Sequence, residues 1–141
     1  MRRLFLHSIF LLLLSSVSAQ DSFHYMVQLE PVVVNGFPGL HSFAWAQHEG
    51  KWLLIGGRLD GVHARQPFNA FPAAMENSNV FVLDIYTKQL WSAPLTTLPA
   101  ALREQLQSTN INFYQDNDTL YLAGGYGYSP SAGDHITYPF L

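Results

Sequence analysis

An apolar run closed by a glycine pair occurs twice in this chain, and that duplication constrains the fold more than any other feature. The first copy is Lys51-Trp52-Leu53-Leu54-Ile55-Gly56-Gly57 and the second is Thr119-Leu120-Tyr121-Leu122-Ala123-Gly124-Gly125. The match extends backwards without a gap, because Ser42-Phe43-Ala44-Trp45-Ala46-Gln47 aligns with Asn110-Ile111-Asn112-Phe113-Tyr114-Gln115. Each copy reads as an apolar strand, a polar turn, a second apolar strand and then Gly-Gly. A supersecondary unit that recurs in this way buries its apolar faces by stacking on its neighbours.

The strands of the first copy form a hairpin around His48-Glu49-Gly50, where glycine can take a positive φ. Every position of Trp52-Leu53-Leu54-Ile55 is apolar, which predicts a strand covered on both faces. Val80 to Asp84 is a third strand of the same kind, and Gln89 to Ser92 a fourth. Four short antiparallel strands packed on both faces fit one blade of a β-propeller better than one layer of a sandwich. The expected fold class is thus all-β, with about one complete blade and part of a second. Upstream, Tyr25 to Val34 reads as a strand whose Pro31 favours an edge or a bulge. Arg58 to Ser78 and Leu95 to Ser108 are long connections. The second holds a short helix over Pro99 to Leu106, with Leu98, Leu102 and Leu106 on one face. In the second copy Tyr126 to Gly133 reads as a loop, and a third strand begins at Ile136.

The N-terminus is a targeting segment. Met1-Arg2-Arg3 is a basic n-region, Leu4 to Leu14 an apolar h-region, and Val17-Ser18-Ala19 a peptidase site, which predicts cleavage after Ala19. The apolar stretch falls short of the roughly 20 residues of a spanning helix. A secreted product with no membrane attachment after signal cleavage is expected. The organisation is then a leader over 1–19, an N-terminal strand region over 20–39, a first blade over 40–95, a helix-bearing connection over 96–108 and a truncated second blade over 109–141. Rings of this kind close with about four to eight blades, so the sequence is expected to be the N-terminal piece of a longer protein. Its partners would include the remaining blades. A net charge of −3, with 7 basic and 10 acidic side chains, argues against a nucleic-acid surface. The absence of cysteine removes disulfides, thiolate metal sites and cysteine nucleophiles.

These residues resemble kelch repeats, the galactose-oxidase-like group of β-propellers. The resemblance rests on Trp52-Leu53-Leu54-Ile55-Gly56-Gly57, on Asn79-Val80-Phe81-Val82-Leu83-Asp84 followed by Trp91, and on Leu120 to Gly125. It covers Ser42 to Leu141, although the glycine pairs lie farther apart than a kelch period of roughly 50 residues. It implies structural roles for Gly56, Gly57, Gly124, Gly125 and Trp91, while Trp45, Trp52 and Trp91 read as inter-blade core. It also implies that Tyr25 to Val34 closes the ring as the outer strand of a last blade. The cysteine-linked tyrosine cofactor of copper-radical members cannot be built here, and no cofactor or metal is expected.

Antiparallel order places both long connections, and the segment from Tyr126 to His135, at one end of the blades, and loops on a rigid scaffold carry function. The candidate ligand-binding residues are Arg58, Asp60, His63, Arg65, Tyr126 and Tyr128. Arg58 offers a planar fork to a carboxylate, while Asp60 and His63 offer acid-base or cation-binding groups. The plainer alternative is that Arg58 and Asp60 pair with each other to hold the loop. Tyr126, Tyr128 and Tyr138, with Phe68 and Phe71, form either an aromatic platform for a sugar or cover for a seam between blades. Asn117-Asp118-Thr119 is a glycosylation sequon in a turn. No catalytic constellation is present. The expected function is a binding module for a protein or carbohydrate. The alternative is part of a carbohydrate-active enzyme, epimerase- or mutarotase-like, whose catalytic residues lie mostly in missing blades.

Overall fold

The structure is a computed structural model that describes residues 25–61 and 71–139. The chain divides into two units, one ending at Val32 and the other beginning at Val33. In the first, residues 25–32 form no strand, and Met26 and Leu29 are 94% and 90% exposed. The strand expected over Tyr25 to Val34 is therefore not formed in the described residues. A single extended segment gains no ladder hydrogen bonds until a partner strand supplies them, and Pro31 removes one donor outright.

The second unit contains two antiparallel sheets. The first has four strands in the order β1 (Ala44–His48), β2 (Lys51–Ile55), β3 (Asn79–Asp84) and β4 (Leu90–Pro94). A helix, α1 (Ala100–Gln107), leads to a three-stranded sheet of β5 (Thr109–Asp116), β6 (Thr119–Ser129) and β7 (Asp134–Thr137). Among the described residues no helix is long and apolar enough to cross a membrane.

The two sheets begin as copies of one backbone. Ala44 pairs with Ile55 and Gln47 with Trp52, as Asn112 pairs with Ala123 and Gln115 with Leu120. The equivalent glutamines Gln47 and Gln115 are 68 positions apart. Positive φ recurs at the same offset: 55° at both Ser42 and Asn110, 47° and 51° at Glu49 and Asn117, 69° and 71° at Gly56 and Gly124, 87° and 101° at Gly57 and Gly125. The tight turns follow from this: Glu49 and Gly50 both have positive φ, which matches the twist of a two-residue hairpin. In the β3–β4 turn the Asp84 carboxylate accepts the Tyr86 and Thr87 N–H groups at 3.0 and 2.9 Å.

The ladder does not stop at the glycine pairs. His41 bridges Arg58 beyond the first pair, and Thr109 pairs with Tyr126 beyond the second. In the second copy β6 then runs on to Ser129 and turns into β7 at Asp134, so the first half of the loop expected over Tyr126 to Gly133 is strand. The glycine pair is also where the sheets meet. Gly57 N–H donates to the Ser108 carbonyl at 2.9 Å, and Asn110 N–H to the Ser42 carbonyl at 3.1 Å. A Cβ on Gly56 would lie 2.5 Å from the Ser108 carbonyl oxygen, and one on Gly57 2.5 Å from that of His41.

Two packing expectations are corrected. Trp45 and Trp91 are 36% and 41% exposed instead of fully buried between sheets, because β1 and β4 are the edge strands of the first sheet. On α1 the buried residues are Glu104 and Gln105, whereas Leu102 is 44% exposed. The helix turns inward the face that finds polar partners: Gln105 Nε2 donates to the Gly124 carbonyl at 3.2 Å, and Glu104 accepts two serine hydroxyls.

Steric closeness and positive φ act together at Gly57. Gly57→Ala is expected to cost about 3 kcal/mol, combining overpacking with left-handed strain. Gly133 has a φ of +71° and nothing within 4 Å of an added Cβ, so Gly133→Ala should cost only about 1 kcal/mol. Chemical denaturation of both variants checks this, and equal losses would contradict it.

Candidate functional site

The positions just past the glycine pairs, Arg58 and Tyr126, lie in one network joining the two sheets. Arg58 is fully buried. Its Nε and Nη2 donate to the two carboxylate oxygens of Asp60 at 3.0 and 2.7 Å, and Nη2 also reaches the Pro72 carbonyl at 3.1 Å. The guanidinium lies 5.2 Å from the centre of the Phe71 ring. Among the described residues Nη1 has no hydrogen-bond partner, and neither does His41 Nε2, which is 3.6 Å from Asp60. Hydrogen bonding and charge from Arg58 hold the Asp60 carboxyl below its usual range. Arg58 and Asp60 thus pair with each other and anchor the connection between β2 and β3. His63, Arg65 and Phe68 lie outside the described residues.

The end of that connection docks on the second sheet. Asn77, buried, donates through its amide to the Gly56 and Asn79 carbonyls at 3.0 and 2.8 Å. Just before it, Glu76 accepts the Tyr128 N–H at 2.6 Å. Phe71 packs edge-on against Tyr126, with centroids 5.3 Å apart, and its carbonyl is 2.7 Å from His135 Nε2. His135 stacks on Tyr126 at 5.8 Å and meets Tyr128 edge-on at 5.4 Å. Gly127 leaves room for this, since a Cβ there would lie 2.8 Å from Glu76 Oε1.

Two carboxylates of this network carry opposite shifts. Burial raises the Glu76 carboxyl above its ordinary value, only partly offset by the Tyr128 N–H. Glu104 is held below its ordinary value by the Ser129 and Ser131 hydroxyls, each donating at 2.6 Å. Tyr138 donates to the Tyr128 carbonyl at 3.2 Å, and burial followed by the two glutamates pushes its phenol up to about 12. Tyr138 is buried, so it is not part of a surface platform. Tyr126, Tyr128, Phe71 and His135 keep part of their rings at the surface. Among the described residues no group of three or more His, Asp or Glu side chains gathers as a metal cage.

Arg58, Asp60, Tyr126 and Tyr128 therefore do fall in one region, but the charges of the first two are spent on each other. Glu76, Glu104 and His135 are the members that sequence reasoning missed. Glu104 reads as the solvent face of a short helix, and only its serine partners across the β6–β7 hairpin give it a place. Glu76 and His135 carry no local signal. Comparison with protein-family models, with curated proteins and with solved structures returned no match to this chain.

The opposite shifts give opposite pH signatures. The folded Glu104 titrates below its unfolded value, so its contribution is present above the ordinary carboxylate range and is lost as the pH falls through its folded value. Glu104→Gln should destabilise by about 1.5 kcal/mol at pH 7, a deficit that closes in acid. The folded Glu76 titrates above its unfolded value, so its ionisation opposes folding at neutral pH. Glu76→Gln retains an acceptor for Tyr128 and should raise the Tm at neutral pH, with the gain vanishing in acid. Thermal melts across the acid range check both; parallel behaviour of the two variants would contradict the assignment.

Proposed function

We propose that this chain is an exported, kelch-like β-propeller segment that acts as a binding module, engaging a protein or carbohydrate through the end that carries Tyr126. The repeated hairpins and the shared backbone at the two glycine pairs support the architectural part of this reading. One observation carries the functional part. The charged groups at this end are largely consumed by internal partners, while aromatic rings remain at the surface. Such a surface suits recognition, because a tyrosine ring offers apolar area and a polar tip at little entropic cost. It suits catalysis less, since a general acid or base needs a titratable group free to meet substrate.

A second reading, part of a carbohydrate-active enzyme, draws on the raised pKa of Glu76, a departure of the kind that marks acid-base sites. The two readings separate experimentally. With the full chain probed on an immobilised glycan panel and against extracellular protein fractions, Tyr126→Ala should weaken the dominant interaction by about tenfold, the loss of roughly 1.4 kcal/mol. Glu76→Gln should leave it unchanged. The proposal is overturned if Tyr126→Ala weakens none of the interactions the parent chain makes. Sugar mutarotation by the chain, followed by NMR and abolished in Glu76→Gln, would establish the second reading instead.

A further inference from the structure

The end of the sheets opposite the Arg58 network carries the β1–β2 and β5–β6 turns, and a second aromatic group lies there. Trp45 stacks on Trp52 with centroids 5.3 Å apart and planes at 28°, and meets Phe113 edge-on at 6.1 Å. Tyr114, 67% exposed, stacks on Tyr121 at 6.5 Å. Between β1 and β5 is a cleft of about 460 Å³, lined by Trp45, Gln47, Phe113, Tyr114, Gln115 and Asn117. That volume falls within the range of about 300–1,000 Å³ typical of small-molecule sites.

The lining has one further property: none of its six residues is charged. An ionic ligand would find no counter-charge in the walls. A purely hydrocarbon ligand would strip water from the Gln47 and Asn117 amides without replacing its hydrogen bonds. What fits is a molecule with flat apolar faces and neutral hydroxyls around its edge. Aromatic rings accept the apolar face of a sugar, and a carboxamide presents a donor and an acceptor side by side to neighbouring hydroxyls.

The amides are also divided between holding the site and facing a ligand. Gln115 clamps the two strands together: its Oε1 accepts the Gln47 N–H at 2.8 Å, and its Nε2 donates to the Gln47 and Asn117 carbonyls at 2.7 and 2.8 Å. The Gln47 side-chain amide has no partner within the described residues, although its backbone is fixed on both sides by Gln115. A held backbone bearing an uncommitted amide beside exposed rings is a pre-organised recognition group. We propose that this cleft is a binding site for a neutral oligosaccharide. Trp45 and Tyr114 supply the stacking surfaces, and Gln47 supplies the hydroxyl contact. The site is separate from the Tyr126 surface and stands or falls independently of it.

The test is titration of the full chain with cellohexaose, xylohexaose, mannohexaose and laminarihexaose, read by tryptophan fluorescence and calorimetry. Hexagalacturonate serves as the charged counterpart. At least one neutral hexaose should bind saturably and shift the emission, and hexagalacturonate should bind at least about tenfold more weakly. Tyr114→Ala and Gln47→Ala should each lower the affinity at least about fivefold. The ring of Tyr114 is largely exposed and the Gln47 amide bonds nothing internally, so both variants keep the fold. The proposal is overturned if no neutral hexaose saturates, if both cleft variants bind like the parent chain, or if hexagalacturonate binds most tightly.

Discussion

The structure depends on a backbone-to-backbone contact that only glycine permits. Where β2 ends, the chain must pass within hydrogen-bonding distance of the segment entering β5, and Gly57 N–H to the Ser108 carbonyl is that contact. A side chain at Gly56 or Gly57 would run into the carbonyl oxygens of Ser108 or His41. Both glycines also need positive φ, which costs an ordinary residue about 1–2 kcal/mol. Bare backbone here lets β1 and β5 lie side by side, and the remaining contacts between the sheets are built outward from that seam. The glycine pair is thus less a strand terminator than a docking surface.

Two layers of polar bonding secure the seam from opposite ends. At one end Asn77, Glu76 and the Arg58–Asp60 pair tie the β2–β3 connection to both sheets. At the other, Gln115 grips the backbone of Gln47. A buried ion pair gains little net stability against its desolvation, but breaking one costs heavily. Arg58 and Asp60 are therefore better understood as fixing the path of a long connection than as reserves of binding energy. Their mutual commitment is why the proposed recognition falls to aromatic and amide groups, which are not neutralised by a charged neighbour.

Much of this was legible in the chain. The repeat, the hairpins, the helix and the four-stranded order of the first sheet all follow from apolar runs punctuated by Gly-Gly and turn residues. What failed did so for identifiable reasons. The leucine spacing on α1 pointed to the wrong buried face, because Glu104 and Gln105 find specific partners far away in sequence. Tyr126 to Ser129 read as part of a loop, yet they extend β6 because β7 pairs with them. Tyr25 to Val34 had strand composition but forms no strand in the structure. The convergence of Phe71, Glu76, Tyr126 and His135 comes from docking two copies of a unit, and neither copy alone encodes it.

Amide hydrogen exchange tests the docked seam most directly. Gln47 N–H bonds Gln115, Gly57 N–H bonds Ser108 and Asn110 N–H bonds Ser42, and each of these bonds crosses from one copy of the repeat to the segment of the other. If the two sheets form one cooperative unit, these three amides exchange slowly and with a common opening free energy. If they exchange as fast as the amides of residues 25–32, or open at widely different free energies, the two copies are not docked as described and the account fails.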